Sequence, residues 1–123
     1  MKTLFFFISV YEARPIISRN EGFFTTTPQV IPEGHNPVFH CYANGWPTPS
    51  FTWFKEGEEL KSGDAMNSYV LTRRTDGLDL EILYVRQQVH AGLYTCLVKN
   101  KFGEERHDIR LVVEGLFFKS DPQ

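Results

Sequence analysis

Cys41 and Cys96, with four histidines at positions 35, 40, 90 and 107, are the residues of this 123-residue chain best suited to redox, nucleophilic or metal chemistry. Structural zinc needs four ligands, commonly in close pairs, and two cysteines 55 positions apart (96 minus 41) match no such spacing. A disulfide is the natural reading. It would close a loop of about 55 residues and contribute roughly 4 kcal/mol through the unfolded chain; in a reducing compartment the same pair would persist as two thiols and that contribution would vanish. His35, His40, His90 and His107 fall on different strands and loops of the predicted pattern, each expected to face solvent or hold a hydrogen bond. No nucleophile sits with a base, and no carboxylate pair marks a cleft. The chain is therefore expected not to be an enzyme, and to carry no metal, cofactor or small-molecule substrate.

The elements that position these residues are short and punctuated by turns. VFHCYA (38–43) sets Phe39, Cys41 and Ala43 on one side; FTWFK (51–55) sets Phe51, Trp53 and Lys55 together; NGWPTP between them reads as a turn-rich loop. YVLT follows the Gly63-Asp64 turn, and Leu78, Leu80 and Ile82 alternate after Asp76-Gly77. LYTCLVK points Tyr94, Cys96 and Val98 one way and Leu93, Thr95, Leu97 and Lys99 the other, and IRLVV puts Ile109, Leu111 and Val113 on one face. No stretch sustains a helical period. Strands at this spacing predict an all-β antiparallel sandwich. A hydrophobic fraction of 41% with 11 Phe is enough for one buried core, and the length leaves no room for a second domain. A net charge of −2, with basic residues scattered, gives no footprint for nucleic acid.

Cys41, Trp53 twelve residues on, and Cys96 resemble the strand B, C and F core of an immunoglobulin domain of the intermediate (I-set) type, in which tryptophan packs on the bridge between two sheets. Tyr94, two places before Cys96, is similar to that family's tyrosine corner, with Ala91-Gly92 making the turn. EGHNPVFHC resembles the approach to strand B, WFKEGEEL strand C and its turn, and Asn100-x-x-Gly103 the F–G hairpin, together spanning about residues 28 to 114. The resemblance implies a Greek-key immunoglobulin-like sandwich with Trp53, Tyr94 and Gly92 as core signature. The sequence departs from the family at three places. His90 stands where an Asp usually pairs with a basic residue. Pro37 takes an inward strand B position, so that strand is expected to run from Val38 to Tyr42. Residues 14 to 27 are longer than the usual strand A region, which leaves their register open.

If Trp53, Tyr94, Cys96 and Val98 point inward, Phe54, Leu97 and Val112 form an outward apolar stripe on the C–F–G sheet, the face through which adhesion members of the family commonly recognise partners. Trp46, in the NGWPTP loop, is a second candidate. The expected organisation is a candidate signal peptide at 1–13, one domain at 14–115, and a tail at 116–123. The leader rests on Lys2 and the apolar run Leu4 to Val10, too short to span a bilayer, with Ala13 before the cut. Two functions follow from the resemblance. One is a secreted or cell-surface recognition protein engaging a receptor or adhesion molecule, around synapses or muscle surfaces. The other is a cytoplasmic, sarcomeric module of a titin-like protein. Self-association stays open in both.

Overall fold

Period-two alternation puts one face of each segment in the core, and the computed structural model, which describes residues 13–18 and 28–115, shows two facing layers of strands. The candidate leader therefore lies outside the described residues except for Ala13, and the tail 116–123 lies wholly outside them. In one layer the order is β2 (Gln29–Pro32), β10 (Gly103–Glu114), β9 (Gly92–Asn100), β5 (Ser50–Lys55) and β6 (Glu58–Glu59). In the other, β3 (Val38–Phe39) pairs with β8 (Gly77–Ile82), β8 pairs with β7 (Tyr69–Arg74), and β4 (Ala43–Trp46) pairs with β1 (Ala13–Ile17). All pairings are antiparallel except β10 with β2, which is parallel.

The expected strand from Val38 to Tyr42 is broken. Regular pairing stops after Phe39 and resumes at Ala43, so Asn44, Gly45 and Trp46, expected to open the NGWPTP loop, belong to a strand instead. The cause lies across the gap: Leu78 N–H donates to Cys41 O at 2.9 Å, Ala43 N–H donates to Asp76 O at 3.0 Å, and the two segments form an isolated antiparallel bridge where Gly77 meets Tyr42. A Cβ at residue 77 would lie 2.3 Å from the Cys41 carbonyl oxygen and 2.0 Å from the Tyr42 ring. Only glycine permits that approach.

Cys41 and Cys96 are joined by a disulfide with Cα atoms 6.5 Å apart, and both are fully buried. Trp53 is fully buried too; its Nε1–H donates to Leu78 O at 2.9 Å, so its polar edge is satisfied inside the core. Phe39 packs against both Trp53 and Tyr94, with ring centroids 6.2 and 5.7 Å away.

A single helical turn, Gln87–His90, leads into β9. Tyr94 closes this corner: its hydroxyl donates to His90 O at 2.6 Å, which leaves Tyr69 to donate to Tyr94 Oη at 3.1 Å. Burial pushes the Tyr94 hydroxyl pKa far up, so it stays a donor at any working pH. Gly92 has φ +145°, and a Cβ there would lie 2.6 Å from the Glu56 carboxylate that accepts from Leu93 N–H.

Among the described residues, His90 and Asp79 are titratable polar side chains buried in this interior. His90 occupies the corner position where an ion pair was in doubt, and it makes none among the described residues; its Nδ1 accepts from Arg86 N–H at 2.8 Å. Burial, then the charges of Arg86 and Lys55, hold its pKa below the ordinary histidine value. A buried carboxylate is paired with basic side chains elsewhere. Asp79 receives Nδ1–H of His40 at 2.8 Å and Nε–H of Arg74 at 2.9 Å, tying β8 to β7 and to the residue after β3. Its burial raises the carboxyl pKa, yet these two donors outweigh that and leave it below the usual carboxylate range.

Two predictions follow from this interior. Replacing both cysteines (Cys41→Ala with Cys96→Ala) is expected to lower the unfolding free energy by about 4 kcal/mol in urea denaturation, because the loop constraint on the unfolded chain is lost. On the acid side, His90 is neutral in the folded protein and protonates near pH 6.5 when unfolded, so its contribution is complete above about pH 6.5 and declines as pH falls below that. Asp79 adds a second decline, starting near its unfolded value of about 3.9 and running down through its lower folded value. His90→Gln should remove the first decline and keep the second, as read by denaturation from pH 7.5 to 2.5.

Candidate recognition surface

Because β9 pairs with β5 and β10 without a bulge, its alternation dictates the outer face of the larger sheet in rows. Thr52, Leu97 and Arg106 form one row; Phe54, Thr95 and Asp108 form the next. Ser50, Lys99 and Glu104 flank the first, and Leu93 with Arg110 flank the second. Phe54 and Leu97 are half-buried in neighbouring rows on adjacent strands, so the structure brings these two expected residues together. Thr95 Oγ1–H donates to Asp108 Oδ1 at 2.6 Å, and Arg106 Nη2 lies 3.5 Å from Glu104 Oε2.

Val112 does not join them. It lies two rows beyond Phe54 and three beyond Leu97, which at about 6.6 Å per outward step sets it roughly 20 Å along the sheet from Leu97. Val112 is 40% exposed and pairs in register with Val30, 55% exposed, on the edge strand β2. The expected single stripe is thus two patches separated by the charged row of β10. Alternation alone could not separate them, since it reports which face a residue takes and not its place along the sheet, which the β9–β10 register sets.

At one end of the sandwich Trp46 closes β4, 53% exposed and in register with Ala13. Asn100 organises that end: its Nδ2 donates to Ala13 O at 2.8 Å and Pro47 O at 3.1 Å, and its Oδ1 accepts from Phe102 N–H at 2.9 Å. Phe102, 45% exposed, is a second aromatic that the sequence reading passed over. Its signal was present in the Asn100-x-x-Gly103 turn, where a two-residue tip must point its side chains outward.

The histidines do not assemble. His35 is exposed, His40 binds Asp79, His90 is buried in the corner and His107 is half-buried on β10. Among the described residues no group of three or more His, Cys, Asp or Glu side chains could hold a metal ion. Nor is any described helix long and apolar enough to cross a membrane.

Comparison with known proteins agrees with this geometry. Residues 24–113 match the immunoglobulin I-set domain. The chain is 28% identical over 120 residues to neurofascin of Gallus gallus, covering 93% of this chain and 8% of that protein. It is 30% identical over 83 residues to fibroblast growth factor receptor 1 of Xenopus laevis, covering 68% of this chain and 10% of that protein. It thus spans a tenth or less of the length of these relatives. Among solved structures, a tandem pair of titin immunoglobulin domains superposes with a TM-score of 0.73 at 20% identity, over 85% of this chain and 51% of that one. The matched core, the Cys41–Cys96 bridge beside Trp53 and the Tyr94 corner lead to one assignment: the chain belongs to the immunoglobulin I-set family.

Proposed function

We propose that this chain is a protein–protein recognition module of the secreted or cell-surface kind, presenting the outer face of β5, β9 and β10 to a receptor or adhesion molecule. Immunoglobulin domains are generally binding modules and not enzymes, and the likeness to neurofascin and to a growth factor receptor supports a receptor-type setting. The observation that carries the reading is the pairing of an internal disulfide with Phe54 and Leu97 side by side on the opposite side of the same strands. A disulfide persists in oxidising compartments. A paired apolar patch rimmed by charge is the composition expected of a small interface. In this reading residues 14–115 are the working domain, residues 1–13 a leader and residues 116–123 a tail, and Trp46 with Phe102 forms a second contact point at the end of the sandwich. Val112 with Val30 belongs to a separate patch at the β2 edge.

A titin-like structural module in the sarcomere is the second reading, favoured by the superposition on the titin pair. In that setting Cys41 and Cys96 would be reduced, and the poles of the sandwich would carry the contacts to neighbouring domains.

The purified domain applied to intact, non-permeabilised neurons or muscle cells is expected to bind, and Phe54→Asp or Leu97→Asp is expected to reduce that binding by about tenfold or more, since each places a charge in the apolar patch. Val38→Asp, on the opposite layer, should bind as the unmodified domain does. Equal binding by all four proteins, each folded by circular dichroism, would contradict the assignment of this sheet.

A further inference from the structure

The outward residues of β10 alternate in sign: Glu104, Arg106, Asp108 and Arg110, all exposed. Reversing the strand turns each sign into its opposite. Such a strand is complementary to a second copy of itself laid antiparallel, with Glu104 against Arg110 and Arg106 against Asp108. The midpoint of that pattern is residue 107. His107 is in register with Cys96, and Cys96 with Trp53, so one row crosses all three strands at the centre of the pattern.

A two-fold axis along this row, lying between two facing sheets, would carry each of β5, β9 and β10 over its own copy. It exchanges the Thr52–Leu97–Arg106 row with the Phe54–Thr95–Asp108 row. Arg106 then meets Asp108 of the second copy, and Phe54 lies over Thr52 beside Leu97. An axis parallel to the strands would instead lay the β10 charges over Thr52 and Phe54, taking them from water with no partner. Only the first arrangement satisfies both patch and charges.

We propose that the β5–β9–β10 face is self-complementary, and that its partner is a second copy of this chain docked antiparallel about the Trp53–Cys96–His107 row. This rests on the reading of that sheet as the recognition face. The contact is isologous, so each favourable pair occurs twice. The existing Arg106–Glu104 pair is 3.5 Å long with side chains 61% and 47% exposed, a type worth little, so exchanging it for the intermolecular pair loses little. Thr95, by holding Asp108 Oδ1, fixes the carboxylate that Arg106 would meet. Facing sheets cross at about 30°, which concentrates the contact near the axis, at Arg106, Asp108, Phe54 and Leu97, and weakens it toward residues 104 and 110. A patch of three strands is small, so the association belongs to the weak, transient class, with a Kd of roughly 10–100 µM.

Sedimentation equilibrium of the disulfide-bonded protein, from about 1 µM to about 1 mM, tests this. A reversible dimer is expected, weakened by salt. Arg106→Glu and Asp108→Arg should each raise Kd by about tenfold or more by facing like charges, and the double variant R106E with D108R should restore it, because the exchanged signs pair again across the axis. A merely structural role for either residue would give no such rescue. The proposal is overturned if the unmodified protein stays monomeric throughout, if neither single reversal changes Kd, or if the double variant is as weak as the singles combined, all variants being folded by circular dichroism. A monomeric protein whose binding to cells is still lost in Phe54→Asp would overturn self-association alone and leave the recognition face standing.

Discussion

The covalent link between Cys41 and Cys96 is the constraint from which the outer surface of this domain follows. It joins the two layers at one row, with Trp53 buried in register beside Cys96. Since side chains alternate along a strand, holding Cys96 inward sends Thr95 and Leu97 outward, and slipping β9 by one residue would turn them into the core. The same register fixes Phe54 beside Leu97 and sets the order of charges on β10. The interior therefore decides what the exterior offers, and the recognition face is a consequence of the bridge and the indole packed near it.

Around that row Tyr94, Trp53 and Asp79 are buried with hydrogen-bond partners, while His90 is held neutral with its Nδ1 paired and its Nε2 buried without one among the described residues. Tyr94 caps the carbonyl of His90, Trp53 caps that of Leu78, and Asp79 is held between two donors. His90 is the departure that matters physically. In place of a charged carboxylate at the corner, the domain buries a ring that accepts from Arg86 N–H and packs edge-on to Tyr69, 5.6 Å between centroids. A corner held by a neutral imidazole depends on pH in a different window from one held by an ion pair, since histidine changes charge near pH 6.5 and a carboxylate near pH 4.

The sandwich, its bridge, the tryptophan and the tyrosine corner were legible because each rests on residue types at fixed separations: Cys41, Trp53 and Cys96, with Tyr94 two before the last. Alternation named the inward residues of β9 and β10 correctly, and Tyr94, Cys96, Val98, Ile109, Leu111 and Val113 are all buried. What failed depended on contacts between segments far apart in the chain. The break after Phe39 comes from Gly77 pressing against Cys41 and Tyr42, and no local pattern near residue 40 announces it. The Asp79–Arg74–His40 cluster joins positions up to 39 apart, and Val112 parted from Leu97 because the β9–β10 register sets it three rows further along the sheet. Asn100 was legible as a turn residue, yet its two bonds to Ala13 and Pro47 required knowing which loops share an end.

Counting reactive sulfur atoms tests the central claim most directly. Protein recovered from the medium of expressing cells, denatured without reductant and treated with an alkylating agent, is expected to gain no alkyl group in its intact mass, and to gain two once a reductant is added. Two alkyl groups taken up before reduction would show that the layers are not joined, and would remove the basis for the register on which the outer face depends.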